Sequence, residues 1–156
     1  MSGEGSASTL PAARPVAVEL RRVRVPLREP IVAAHGTESE RRVVIVRAVG
    51  ADGAEGWGEC DALAWPTYTP EWHDGAWLVL RDVLVPAVLA GRDPGVVGHP
   101  MAAAAIEAAV VDLGLRREGR SLAAALGAVR THVASRAVVG IAPSVDDALG
   151  AVERRV

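Results

Sequence analysis

Few side chains in this sequence are of a type and spacing that could do chemistry. His35, His73, His99 and His132 lack the paired spacing by which one helix or hairpin offers two imidazoles to a metal, so each reads as a surface or satisfied core residue. Glu107 and Asp112 fall on one helical stretch at a spacing that turns them off a common face. They do not form an acid/base carboxylate pair and read as structural groups that tie helix to strand or loop by charged hydrogen bonds. Gly53, Gly56 and Gly58 do not precede a helix start, so they belong to a hairpin and not to a phosphate cradle. Trp57, Trp65, Trp72, Trp77 and Tyr68 crowd into one stretch without an adjoining basic patch, which favours core packing over stacking on nucleic-acid bases. Every basic side chain is Arg, and the sequence contains no Lys, Asn, Gln or Phe. A Lys base is therefore impossible within these residues.

The elements that must position these groups are those of a folded protein. Of 156 residues, 50% are hydrophobic, and the formal net charge is −2. That balance argues against disorder and gives no nucleic-acid signal. Cys60 is the only cysteine, which rules out an internal disulfide or a multi-cysteine metal site and fits a reducing, cytoplasmic setting. No apolar run has the length of a membrane span. Residues 1–15 are rich in Ser, Gly, Ala and Pro and read as a disordered leader, not a signal peptide.

Residues 16–27 alternate as a strand whose apolar parity switches at Arg21 and Arg22, predicting a bulge or sharp twist. Residues 28–39, with Pro30, His35 and Gly36, predict a long mobile loop. The β-branched run 41–49, the Asp52-Gly53 turn and residues 55–60 predict a hairpin. Thr69-Pro70-Glu71 has the form of an N-cap, a first-turn proline and an early acid, opening a helix with Trp72, Ala76, Val79, Leu80 and Val83 on its apolar stripe. Pro86 should kink or end it. After a linker at 91–99, Pro100 opens a helix to about Arg117, apolar nearly all round and hence expected between layers. Ser121 caps a short helix ending at Gly127, residues 131–141 predict a strand, and Ser144 caps an amphipathic helix. A lone βα unit cannot cover a parallel sheet, so the C-terminal unit reads as the opening of a larger α/β domain.

The run GADGAEGWGECDALAWPTYTPEWHDGAWLVLRDVLVPAVL resembles the capping domain of the enolase superfamily. Within it the likeness is greatest to the o-succinylbenzoate synthase and N-acylamino acid racemase branch, with its Gly-Trp-Gly-Glu strand and Tyr-(Thr/Ser)-x-Glu helix start. Upstream, VRVPLREPIVAAHGTESERRVVIVRAV resembles the first strand, lid loop and second strand of that domain. Downstream, GHPMAAAAIEAAVVDLGLRREGRSLAAALGA resembles the helix leading into the barrel, with its Ala-x-x-Glu-x-Ala-x-x-Asp pattern. The linker at 91–99 is shorter than the family's usual connection.

The resemblance implies an α+β fold: a three-stranded antiparallel capping domain with helices over 16–99, linking helices over 100–130, and the first βα unit of a truncated (β/α) barrel over 131–156. It implies that Ile31, Val32, His35, Gly36, Thr37, Cys60, Asp61 and Leu63 would face the ligand in a complete enzyme, and that Val138 would point to the barrel mouth. Glu107 and Asp112 match structural positions. The family's reaction removes a proton next to a carboxylate, with Mg²⁺ stabilising the enediolate and Lys residues acting as acid and base. Those residues lie on later barrel strands, so this chain would hold no cofactor, catalytic residue or metal ligand and would be inactive alone. The expected function is the lid and specificity portion of an o-succinylbenzoate synthase, a lyase of menaquinone biosynthesis, or of an N-acylamino acid racemase. Two alternatives stay open: a non-catalytic binding module that completes a barrel with another chain, and a muconate cycloisomerase or dipeptide epimerase relative. The expected partners are a small carboxylate once the barrel is complete and a barrel-completing chain, with neither nucleic acid nor membrane. Self-association is left open.

Overall fold

The computed structural model describes residues 10, 11, 13–33, 36–93, 95–135 and 139–154, the side chain of Ala33 excepted. His35 and Val138 lie outside them. The chain forms two compact units, one of Arg42–Ala128 with the segment ending at Arg24, the other of Val25–Arg41 with the segment from Val129 onward.

Three strands form one sheet in the order β1 (Ala17–Ala33), β2 (Gly36–Val49) and β3 (Glu55–Cys60). β2 and β3 pair antiparallel, from Val49 opposite Glu55 to Val44 opposite Cys60. The turn between them is the one predicted at Asp52-Gly53. Asp52 Oδ1 accepts the Ala54 N–H at 3.2 Å, and Gly53 takes φ 78°, where a side chain would be strained.

The loop predicted over 28–39 is instead strand on both sides, since β1 runs to Ala33 and β2 starts at Gly36. Antiparallel neighbours in register continue their ladder past the point where apolar alternation stops, and the edge position of β1 tolerates Pro26 and Pro30, which have no N–H to donate. Val18 and Leu20 of β1 pack against the core, whereas Val23 and Val25 are exposed. The switch of parity at Arg21 and Arg22 thus marks where β1 leaves the core.

Thr69-Pro70-Glu71 does not start a helix. α1 begins at His73 and runs to Val79 with Trp72 in the cap position, while Glu71 is buried and bonds elsewhere. A π-helical turn, Leu80–Leu84, follows, and then α2, Val85–Leu89. The predicted effect of Pro86 takes this form, because the ring obstructs regular α-helical bonding one turn back and the Val85 N–H reaches the Leu80 carbonyl instead. The wider turn also shifts the buried stripe, so Val83 is exposed where Leu84 is buried.

α3, Pro100–Arg117, forms with the bounds predicted. It packs on β3 through Gly56 and Gly58, which lie two residues apart on one strand face. A Cβ on Gly56 would overlap the Ala109 carbonyl oxygen, and one on Gly58 that of Ala105. The glycine pair therefore lets the helix backbone lie directly on the strand. Ala105, Ala109 and Leu113 join Val44, Val46, Cys60, Leu80 and Leu84 in the core. The expectation of burial all round is corrected, since Ala104 and Ala108 on the outer side are exposed. Of the segment expected to be disordered, Pro15 is buried and Pro11 lies against Gly114. α4, Leu122–Ala125, carries the expected Ser121 cap.

In the other unit, α5, Val145–Glu153, starts at Ser144, whose hydroxyl accepts the Asp147 N–H at 3.1 Å. The strand predicted at 131–141 is not formed by its described residues, 131–135 and 139–141. A parallel strand is held by ladder bonds from its neighbours, and the sheet contains only β1, β2 and β3 among the described residues.

Candidate functional site

Two segments carry the residues expected to face a ligand. In the first, the end of the β1–β2 hairpin, Ile31 and Val32 are each 43% exposed and so are free to contact a ligand. Gly36 adopts φ 133° with open space around it, and Thr37 is exposed. Nearby, Arg41 pairs with Glu38 at 3.4 Å.

The second segment leaves β3 at Cys60 and ends at α1. Cys60 is corrected from a ligand-facing position to a core one. It shares a strand face with Gly56 and Gly58, so alternation turns it toward α3, and it is 1% exposed. Burial pushes its thiol up to about 11, which leaves it protonated and unreactive at neutral pH. Asp61 is exposed and Leu63 half-buried, its carbonyl accepting the His73 N–H at 2.8 Å. The core packing expected of the aromatic cluster fails in this loop, where Trp65 is 72% and Tyr68 80% exposed. Their neighbours are Pro66, Thr67 and Pro70, residues of irregular backbone with no apolar periodicity, and that was the available signal of exposure.

Several charged side chains are committed to structure. Asp112 Oδ2 accepts the Trp57 N–H of β3 at 2.9 Å and the Arg116 Nε–H at 2.8 Å. Glu107 is exposed and has no hydrogen-bond or ion-pair partner among the described residues, so it does not tie the helix to strand or loop. On the sheet face opposite α3, Arg47 bridges Glu19 of β1 at 2.9 Å and Glu55 of β3, and stacks over the Trp57 ring at 5.8 Å. Hydrogen bonds from Arg21 and Arg47 hold the Glu19 carboxyl below its usual range. Asp52 at the hairpin turn is likewise held down by the guanidinium of Arg117 at 2.7 Å.

The histidines stay apart. His73 is buried, His99 half-buried in the cap position of α3, and His132 exposed with Nδ1 3.0 Å from the Thr131 hydroxyl. No group of three His, Cys, Asp or Glu among the described residues could hold a metal ion. The described residues therefore offer no donor set for a Mg²⁺ ion. Two hollows of about 750 and 430 Å³ flank α3, the first against α2 and lined in part by Arg14, Arg92, Asp93 and Glu107, the second beside Trp57 and Leu122. Each unit thus carries part of the set expected to face a ligand, Ile31, Val32, Gly36 and Thr37 in one and Asp61 and Leu63 in the other. No helix among the described residues is long and apolar enough to cross a membrane.

Comparison with known proteins matches this fold. The profile of the mandelate racemase / muconate lactonizing enzyme N-terminal domain matches residues 15–127. An N-succinylamino acid racemase from Amycolatopsis is 44% identical over 145 residues, which span 86% of this chain and 39% of that protein. An o-succinylbenzoate synthase from Bacillus subtilis is 36% identical over 147 residues, 87% of this chain and 39% of that protein. Among solved structures, a probable mandelate racemase from Alicyclobacillus acidocaldarius superposes with a TM-score of 0.75 at 39% identity, covering 88% of this chain and 40% of that one. An enolase-superfamily member from Listeria innocua does so with a TM-score of 0.79 at 28% identity, with the same coverage. The chain thus spans about 40% of the length of these relatives.

Proposed function

The chain belongs to the mandelate racemase / muconate lactonizing enzyme family of the enolase superfamily, and we propose that it is the capping portion of an o-succinylbenzoate synthase or N-acylamino acid racemase. The observation that carries this reading is the 44% identity to an N-succinylamino acid racemase over 86% of the chain. The division of labour follows from the residues present. The cap supplies apolar and aromatic surface at Ile31, Val32, Leu63, Trp65 and Tyr68, suited to shaping a site and excluding water. Acid, base and metal ligands must come from a barrel portion, whether in the same protein or a second chain. That portion is the proposed partner, and the ligand of the complete site is a small carboxylate.

The test is a fusion of this chain to the barrel portion of the Amycolatopsis racemase, assayed with Mg²⁺ for N-succinylamino acid racemisation and o-succinylbenzoate formation. The expected result is activity from the fusion and none from either part alone. A folded fusion with neither activity would overturn the assignment.

A further inference from the structure

The β1–β2 hairpin extends beyond the sheet–helix unit at two points, after Arg24 on β1 and before Arg42 on β2. Both strands are gripped just inside those points by the first two turns of α1. On β1, the Arg22 guanidinium lies 3.1 Å from an Asp74 oxygen and 4.5 Å over the ring of Trp77. On β2, the Arg42 carbonyl accepts a bond from His73 Nδ1 at 3.1 Å, and the same residue's N–H donates to Leu63 in the loop after β3.

The place of the Arg42 carbonyl follows from the ladder. The Trp57 N–H is turned outward to Asp112, so its partner in register, Arg47, directs its backbone groups away from β3. By alternation Val44, Val46 and Ala48 direct theirs toward β3, and so does Arg42. The last pair in the ladder is Val44 with Cys60. The Arg42 carbonyl therefore faces the space that β3 has just vacated, and the His73 imidazole stands where the next strand donor would be. A carbonyl only accepts, so Nδ1 carries the proton.

We propose that His73 is a positioning residue that couples the base of the hairpin to the base of the loop after β3, through its ring to Arg42 and its backbone to Leu63. The coupling stands on these two bonds alone; that the loop after β3 belongs to a ligand-facing lid rests on the capping assignment.

The experiment is hydrogen exchange on the whole chain, comparing wild type with His73→Leu and His73→Asn. The leucine removes the donor, whereas the asparagine amide reaches nearly the same place as Nδ1. Removing the bond should speed exchange about tenfold at the hairpin base and around Leu63, with Val46 and Gly58 unchanged, and the asparagine should restore protection. Uniform acceleration, no change, or no rescue by asparagine would each overturn the proposal. Nitrogen NMR of the unmodified chain tests it without a variant, since neutral His73 must show the Nδ1–H tautomer, and the Nε2–H tautomer would overturn it. Failure of the fusion assay leaves these readouts untouched, so the two ideas fail separately.

Discussion

Glu71 Oε1 accepts the Ala102 N–H at 2.8 Å while Oε2 accepts that of Met101 at 2.8 Å, so one buried carboxylate closes the N-terminus of α3. Pro100 has no N–H to offer, and the two that follow it would otherwise be buried without a partner. The negative charge also faces the positive end of the helix dipole.

Replacing Glu71 by Ala should therefore cost about 3 kcal/mol, and by Gln about half that, since the amide retains one acceptor. Urea unfolding midpoints of the two variants check this. A midpoint for Glu71→Ala within error of wild type would show that water replaces the carboxylate at no cost.

Glu71 also shows what the sequence could and could not reveal. Thr-Pro-Glu has the form of a helix start, but the acid is used by a distant helix, and a contact between segments so far apart leaves no local pattern. Asp52-Gly53, Pro100 and Ser121 were readable because each acts on its own neighbours. The strands beyond residue 28 were hidden because one side of a ladder is specified by the other, and polar alternation does not record it. Cys60 was misplaced for a similar reason: its family position suggested a ligand face, while its parity with Gly56 and Gly58 already placed it against α3.

That glycine pair gives a second prediction. Gly58→Ala puts a methyl group into the Ala105 carbonyl oxygen, which is backbone and has no rotamer to yield, so α3 must lift from β3. The expected loss is about 2–4 kcal/mol. Gly53→Ala meets open space and only the strain of its positive φ, about 1 kcal/mol. Thermal unfolding of the pair should rank them in that order, and equal losses would mean that the strand and helix are not in backbone contact.

Cys60 supplies a probe of the same interface. Its thiol is buried under α3 and pushed up to about 11, so reaction with an alkylating reagent requires the unit to open. At pH 8 the labelling rate should fall at least about a hundredfold below that of a free cysteine peptide and should rise in step with unfolding in urea. Rapid labelling of the folded chain would place the thiol at the surface and undo the packing described for β3.

His73 makes the stability of the chain depend on pH in a defined sense. Its burial, and after that the charge of Arg22, depress its pKa below the ordinary 6.5, while Asp74 and the bond to Arg42 oppose them. Arg42 itself adds to the depression. Below pH 6.5 the unfolded chain takes up a proton at this position before the folded chain does, so the unfolded state is favoured as pH falls. Stability is thus complete above 6.5, declines from there to the folded pKa, and levels off beneath it. Carboxylates such as Glu19 and Asp52, whose pKa values are lowered, act below their ordinary values of 4.5 and 3.8, beneath the interval from pH 5 to 6.5. The other histidines are common to wild type and His73→Asn, so the difference between their urea midpoints isolates this residue. The wild-type midpoint should fall relative to the variant as pH drops from 7 to 5. Parallel curves would show that His73 titrates as freely when folded as when unfolded, and would place its ring in water instead of against Arg42.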